Sequence, residues 1–260
     1  NTRYDNTAQR VYGGDLFGNV WRFDINGDIG DAGYEATLLA TLRDASGSPQ
    51  PLMARPELGR VANYPVVFVG TGRYLGASDL STTSQQTLYA IKDHMNSTPG
   101  GNPRAMGTYV RQTLASSTCG AGSLTCTPGE IVRTGSSNAV NFATDDGWFV
   151  DLPSGTGERA TTDPQLALGT LVFTTNILDP SACSVGGSSY LNFFDYATGA
   201  PVSTANGIVS VRLGDALATR AELIRTQDGT MRSLIRMSDN TWQNRRIPRQ
   251  PTPGSVRRTS

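Results

Sequence analysis

Short runs of β-branched and aromatic residues, repeatedly broken by Gly, Asn, Asp or Ser, dominate this chain, and helical periodicity is nearly absent. Residues 11–24 read as a strand, a tight turn at Phe17-Gly18-Asn19 and a returning strand. In that second strand Val20 and Arg22 face one side, and Trp21 and Phe23 face the other. The pattern returns at Val66-Val67-Phe68-Val69-Gly70-Thr71-Gly72-Arg73, answered by residues 87–93, and again at residues 169–175, answered by 189–195. A last hairpin, residues 222–235, turns on Asp228-Gly229. First strands begin near residues 12, 67, 171 and 222, separated by 55, 104 and 51 positions. The double gap leaves room for one more unit, to which Tyr109-Val110-Arg111 and residues 147–152 are assigned.

Units of about 50 residues that end in an aromatic-x-Asp strand predict propeller blades. The expected fold is all-β, a modified β-propeller with four to five blades. A lone blade cannot bury both of its faces, so the ring is expected to be larger than this segment. Residues 1–244 are assigned to the propeller, and residues 93–107 and 115–129, rich in small, polar and turn-forming residues, are predicted as loops. Residues 245–260 are predicted as a basic, solvated tail, with Arg245, Arg246, Arg249, Arg257 and Arg258, three prolines and no acid.

Composition narrows the function. Lys and Arg number 22, as do Asp and Glu, so no positive field exists to hold a nucleic-acid backbone. No apolar run approaches the roughly 18 residues of a membrane span. The chain begins at Asn1 without a charged-then-apolar leader, and it is expected to be a piece of a longer or processed polypeptide.

The single histidine, His94, removes three-His zinc sites and H-E-x-x-H proteases. His94 follows Asp93 in a Pro/Gly loop with no serine or cysteine elbow near it, so no catalytic residue is assigned. Asp145-Asp146-Gly147 reads as a turn before a strand. Gly70-Thr71-Gly72-Arg73 lacks the third glycine and the following helix of a phosphate cradle, so no cofactor site is assigned. A calcium loop needs three or more hard oxygen ligands at alternating positions. Residues 1–9 offer only Asn1 and Asp5 in register, with Arg3 between them, and no metal is expected there. Cys119 and Cys126 bracket small, easily bent residues and lack the second pair that zinc would need; a disulfide is the better account. Cys183 has no mate in this sequence.

Several phrases, in order, resemble the C-terminal domain of PilY-type proteins (PilC in some lineages), the tip-associated adhesins and biogenesis factors of type IV pili. They are residues 10–24, Val69-Gly70-Thr71-Gly72-Arg73-Tyr74-Leu75, residues 86–93 and residues 147–152. The most specific stretch runs from Gly157-Glu158-Arg159 through residues 163–169 to 186–191. The resemblance covers residues 10 to about 200. It implies a modified propeller at the end of a far longer secreted protein at the pilus tip, exported through the periplasm and outer membrane. It implies a non-enzymatic role in pilus assembly, opposition to retraction, twitching motility and adhesion or surface sensing. The implied partners are minor pilins, the tip complex, and host or abiotic surfaces. Some members carry a calcium loop just ahead of the first hairpin; in this chain Asn1 and Asp5 occupy a degenerate version of it. Passage through an oxidising periplasm also favours a Cys119–Cys126 bridge. The rival reading is a quinone-dependent dehydrogenase-like propeller, suggested by Phe194-Asp195-Tyr196-Ala197-Thr198-Gly199. Against it, the chain has only Trp21, Trp148 and Trp242 to dock blades, and no adjacent cysteines to stack on a quinone.

Overall fold

The computed structural model describes residues 8–27, 29, 34–179 and 186–250. The first strands, β1 (Arg10–Gly14), β2 (Asn19–Asp24) and β3 (Ala36–Thr41), form one antiparallel sheet. The turn between β1 and β2 is tied by Asp15, whose Oδ1 accepts from the Phe17 and Asn19 amides at 2.9 and 3.0 Å. Gly18 there has φ +83°, and a Cβ would meet the Leu42 carbonyl oxygen at 2.5 Å, so the turn requires glycine. Val20 and Arg22 are buried and Phe23 is exposed, the alternation expected for this strand.

The chain then lays down β4 (Glu57–Val61), β5 (Tyr64–Gly70), β6 (Thr87–Lys92) and β7 (Tyr109–Gln112). It leaves to form β8 (Leu114–Thr118) and β9 (Ile131–Gly135), and returns as β10 (Gly147–Asp151). The remainder is β11 (Gln165–Ala167), β12 (Thr170–Leu178), β13 (Gly187–Asp195), β14 (Ile208–Gly214), β15 (Glu222–Arg225), β16 (Met231–Arg236) and β17 (Trp242–Arg246). The second sheet has the order β4-β5-β6-β10-β7, the third β11-β12-β13-β14-β9-β8, and the fourth β15-β16-β17.

This arrangement corrects two expectations. Residues 109–111 and 147–152 do not form a unit of their own. Strand β10 pairs antiparallel with β6 and parallel with β7, which completes the second sheet. Residues 115–129 are not all loop, because Ala115–Thr118 continue β8 along β9. The β10 pairings are non-sequential, and the serine-rich run of β8 lacks the apolar alternation that marks a strand, so neither was readable from spacing. The second and third sheets are thereby interlaced along the chain.

The four sheets stack face to face, which explains the contrasting patterns of their strands. Within β5, Val67 and Val69 pack toward the first sheet with Val20, Leu42 and Leu52. Val66 and Phe68 point the other way, to meet Leu171, Phe173 and Phe194 of the third sheet. A strand buried on both faces must be apolar at every position, hence the continuous run Val66-Val67-Phe68-Val69. On the far face of the third sheet, Val172, Leu191 and Phe193 pack against Met231 and Ile235 of the fourth.

Polar residues lock these stacks. Arg22, fully buried, donates from Nε to both Asp24 oxygens, from Nη1 to Asp93 Oδ1 at 2.7 Å, and from Nη2 to the Asn96 carbonyl at 2.8 Å. Tyr12 donates to Asp93 Oδ2 at 2.8 Å, and burial, then the Asp93 charge, pushes its phenol well above its ordinary pKa. Glu158 and Arg159 turn in opposite directions. Glu158 accepts two bonds from Arg133 of β9, at 2.9 and 2.7 Å. Arg159 donates to the carbonyls of Arg73, Asp79 and Thr82 beyond β5.

The division expected at residues 244/245 falls inside β17. Ile247 is buried in the core between the third and fourth sheets, Thr170 donates to the Pro248 carbonyl at 2.8 Å, and Gln250 donates to Asp195 at 2.6 Å. Apolar burial and these bonds hold the chain at least as far as Gln250, so the segment from 245 to 250 is not a solvated tail.

Candidate interaction surface

Three loop tips present apolar side chains to solvent. Leu16 and Phe17, in the first turn, are 43% and 71% exposed; Met53 is 37%, Tyr74 43% and Leu75 63% exposed. Backbone and side-chain bonds stitch these tips to one another. Leu52 N–H donates to the Asp15 carbonyl at 3.0 Å and Gly72 N–H to that of Pro51 at 2.8 Å. The Tyr74 amide donates to Met53 Sδ at 3.1 Å.

The segment carrying Tyr74 and Leu75 is braced from beneath by Asp79. Its Oδ2 accepts from the Leu75 and Gly76 amides, and its Oδ1 from Arg73 Nε at 2.8 Å. The Leu75 bond foremost, against desolvation and aided by Arg73, holds the Asp79 carboxyl below its ordinary pKa. The Arg159 fork fastens the same segment from its other side. Arg55 and Arg73, with exposed guanidinium stems, flank the apolar tips. Preformed apolar tips flanked by arginine are the composition of a protein-docking surface. The signal in the sequence was an apolar pair inside a turn, Leu16-Phe17 and again Tyr74-Leu75, where polar residues are the norm.

The residues weighed from sequence serve the architecture. His94 Nε2 lies 2.7 Å from Asp146 Oδ1, and Asp146 also accepts from Thr108, so this pair ties two loops. Asp145 accepts from the Asn141 amide and closes the turn before β10. In the Gly70–Arg73 segment, a Cβ on Gly70 would meet Ala160 at 2.4 Å, and Thr71 Oγ1 accepts from the Thr87 amide. These glycines serve close packing. In the Phe194–Gly199 phrase, Asp195 caps a turn, and Gly199, at φ +68°, lies 2.5 Å in Cβ terms from the Trp148 ring. The phrase docks a tryptophan between sheets. Among the described residues no group of three or more His, Cys, Asp or Glu is placed to hold a metal ion. Asn1, Arg3, Asp5 and Cys183 lie outside the described residues.

Cys119 and Cys126 are joined in a disulfide, with Cα atoms 6.1 Å apart. The bridge packs into the core with Val132 and Phe193, so it belongs to the third sheet and not only to its surface loop. Among the described residues no helix is long and apolar enough to cross a membrane.

Comparison with known proteins gives a consistent result. A family model for the PilY1 beta-propeller domain matches residues 1–119. A type IV pilus biogenesis factor PilY1 homolog of Xylella fastidiosa is 30% identical over 210 residues, covering 75% of this chain and 14% of its own length. The type IV pilus biogenesis factor PilY1 of Pseudomonas aeruginosa PAO1 is 30% identical over 236 residues, covering 76% of this chain and 20% of its own. The crystal structure of the Pseudomonas aeruginosa PilY1 C-terminal domain matches with a TM-score of 0.72 at 22% identity. That match covers 96% of this chain and 58% of the solved one. This chain therefore spans a fifth or less of those two relatives and little more than half of the solved domain. The stacked sheets are blades of a β-propeller.

Proposed function

We propose that this chain, a relative of the PilY1 type IV pilus biogenesis factors, acts without catalysis as a docking domain at the pilus tip. In this reading it stands outside the cell, after passage through the periplasm and outer membrane. It engages minor pilins of the tip complex, supports assembly against retraction and twitching motility, and contributes to adhesion or surface sensing on host or abiotic surfaces. The observation that carries the reading is the braced apolar surface of Leu16, Phe17, Met53, Tyr74 and Leu75 on a propeller whose relatives are pilus biogenesis factors. Rigid scaffolds with function on their loops are suited to this role.

The test is complementation of a strain lacking the gene with full-length protein carrying Phe17→Asp and Leu75→Asp. Protein levels should be unchanged, because both side chains face solvent. Sheared surface pili should fall about ten-fold or more, as loss of an interface anchor implies. Wild-type piliation and twitching with the double variant would overturn the reading.

A further inference from the structure

We infer that the free edge of β8 is a second docking site, which takes an extended, uncharged strand from another polypeptide of the pilus assembly. Each of the four sheets has two edge strands among the described residues, and most edges are guarded. Strands β1, β4, β7, β15 and β17 carry Arg10, Glu57 and Arg60, Arg111, Glu222 and Arg225, and Arg245 and Arg246 respectively. Strand β11 has three residues. Strand β3 is uncharged but covered, since Gly100 N–H donates to Leu38 and Thr41 N–H to the Gly101 carbonyl. Strand β8, Leu114-Ala115-Ser116-Ser117-Thr118, has no charge and no proline, no loop covers it among the described residues, and Ala115 through Thr118 are exposed.

Its register shows which backbone groups are free. Ala115 lies opposite Thr134 and Ser117 opposite Val132; beyond the strand's ends Cys119 exchanges bonds with Glu130 and Gly129, and Thr113 with Ser136. The odd-numbered residues therefore face β9. The amides and carbonyls of Leu114, Ser116 and Thr118 point outward, where a strand could add.

A cavity of about 220 Å³ lies alongside, lined by Ser117, Thr118, Ala121, Ser123, Val132 and Asn206 among others. Its lining carries no charge, so it suits a small, uncharged side chain. Ala121 and Ser123 belong to the loop closed by Cys119–Cys126, which fixes that wall before binding. An open edge supplies affinity through main-chain bonds, and an adjacent pocket selects a side chain; together they make a strand-addition site.

This inference rests on the pilus reading for the identity of the partner. Full-length protein carrying a photocrosslinking amino acid at Thr118 is expressed in piliated cells, and the joined peptides are identified by mass spectrometry. The expected product joins Thr118 to an uncharged, extended segment of a pilus protein. Ser116→Pro removes an outward N–H without touching the β9 ladder, and it should lower the crosslink about five-fold, the value of one backbone hydrogen bond. Ser116→Lys, which guards the edge with charge, should do the same if the proline variant folds poorly. A crosslink to the same polypeptide, to a second copy or to nothing, in cells with normal pili, overturns the inference and leaves the pilus reading standing. A crosslink that forms although deletion of the gene leaves piliation intact overturns the pilus reading and keeps the edge as a strand acceptor.

Discussion

The interface between the first and second sheets and the interface between the second and third are held in different ways. The first sets Val20, Ala40 and Leu42 against Val67, Val69 and Ile91, with one ring pair, Tyr89 and Phe149, 5.9 Å apart between centroids, and threads the buried Arg22–Asp24–Asp93 cluster beside them. The second is aromatic: Trp148 lies 6.5 Å from Phe68 and 6.0 Å from Phe194 between ring centroids, with its indole N–H on the Tyr196 carbonyl. Buried aromatic area is non-directional and large. A buried ion cluster recovers little net energy after desolvation but tolerates only one alignment. The division of labour is one of proportion: rings supply more of the strength of the second joint, and the Arg22–Asp24–Asp93 cluster fixes the alignment of the first.

Trp148→Ala is expected to break the aromatic joint hardest, at about 4 kcal/mol, because the cavity is enclosed on both sides. Urea denaturation of the purified chain measures it. Arg22→Met should cost about 3 kcal/mol, because among the described residues the buried Asp93 keeps only neutral donors, Tyr12 and the Met95 amide, and Asp24 keeps only Arg10 at 3.5 Å. Adding Asp24→Asn and Asp93→Asn should restore most of that loss; if it does not, the cluster stabilises the fold in its own right and the division fails. Cys119→Ser with Cys126→Ser removes a bridge over eight residues, which should lower stability by about 2.5 kcal/mol in the chain-entropy model. Reduced and oxidised wild-type protein, compared by thermal melts, provides the control.

The smallest effect concerns the Asp79 brace. Its carboxyl is held below the ordinary value of 3.8, so its contribution is fully present above that pH and fades as pH falls through the lowered pKa. Asp79→Asn should speed proteolysis between Arg73 and Thr82 at neutral pH, and the gap from wild type should close in acid. Equal cleavage of the two proteins at neutral pH would place the brace in Arg159 instead.

Much of the fold could be read from residues that are near neighbours in sequence. Hairpins such as β1–β2, β12–β13 and β15–β16 followed from alternation and from turn residues, Asp15 and Gly18 or Asp228-Gly229. What stayed hidden was pairing at a distance. No local signal says that Gly147–Asp151 lies parallel to Tyr109–Gln112, or that a serine-rich run, Ala115–Thr118, is a strand and not a loop. The candidate surface was hidden for a related reason. Leu16-Phe17, Met53 and Tyr74-Leu75 are separated along the chain, and only the stacking of the first two sheets brings their loops together. Glu158-Arg159 stood out as a phrase, but its two directions of bonding emerge only when both neighbouring sheets are present.

The interlacing of the second and third sheets has a consequence for how the chain acquires its structure. Strand β7 cannot find its parallel neighbour β10 until β8 and β9 have been made, and β9 waits for β14, more than seventy positions later. Roughly the central 150 residues thus order together or not at all, in a slow step dominated by loop closure, while the sequence-local first and fourth sheets can zip on afterwards. The two interlaced sheets therefore commit as one unit, and the first and fourth sheets complete the stack around them.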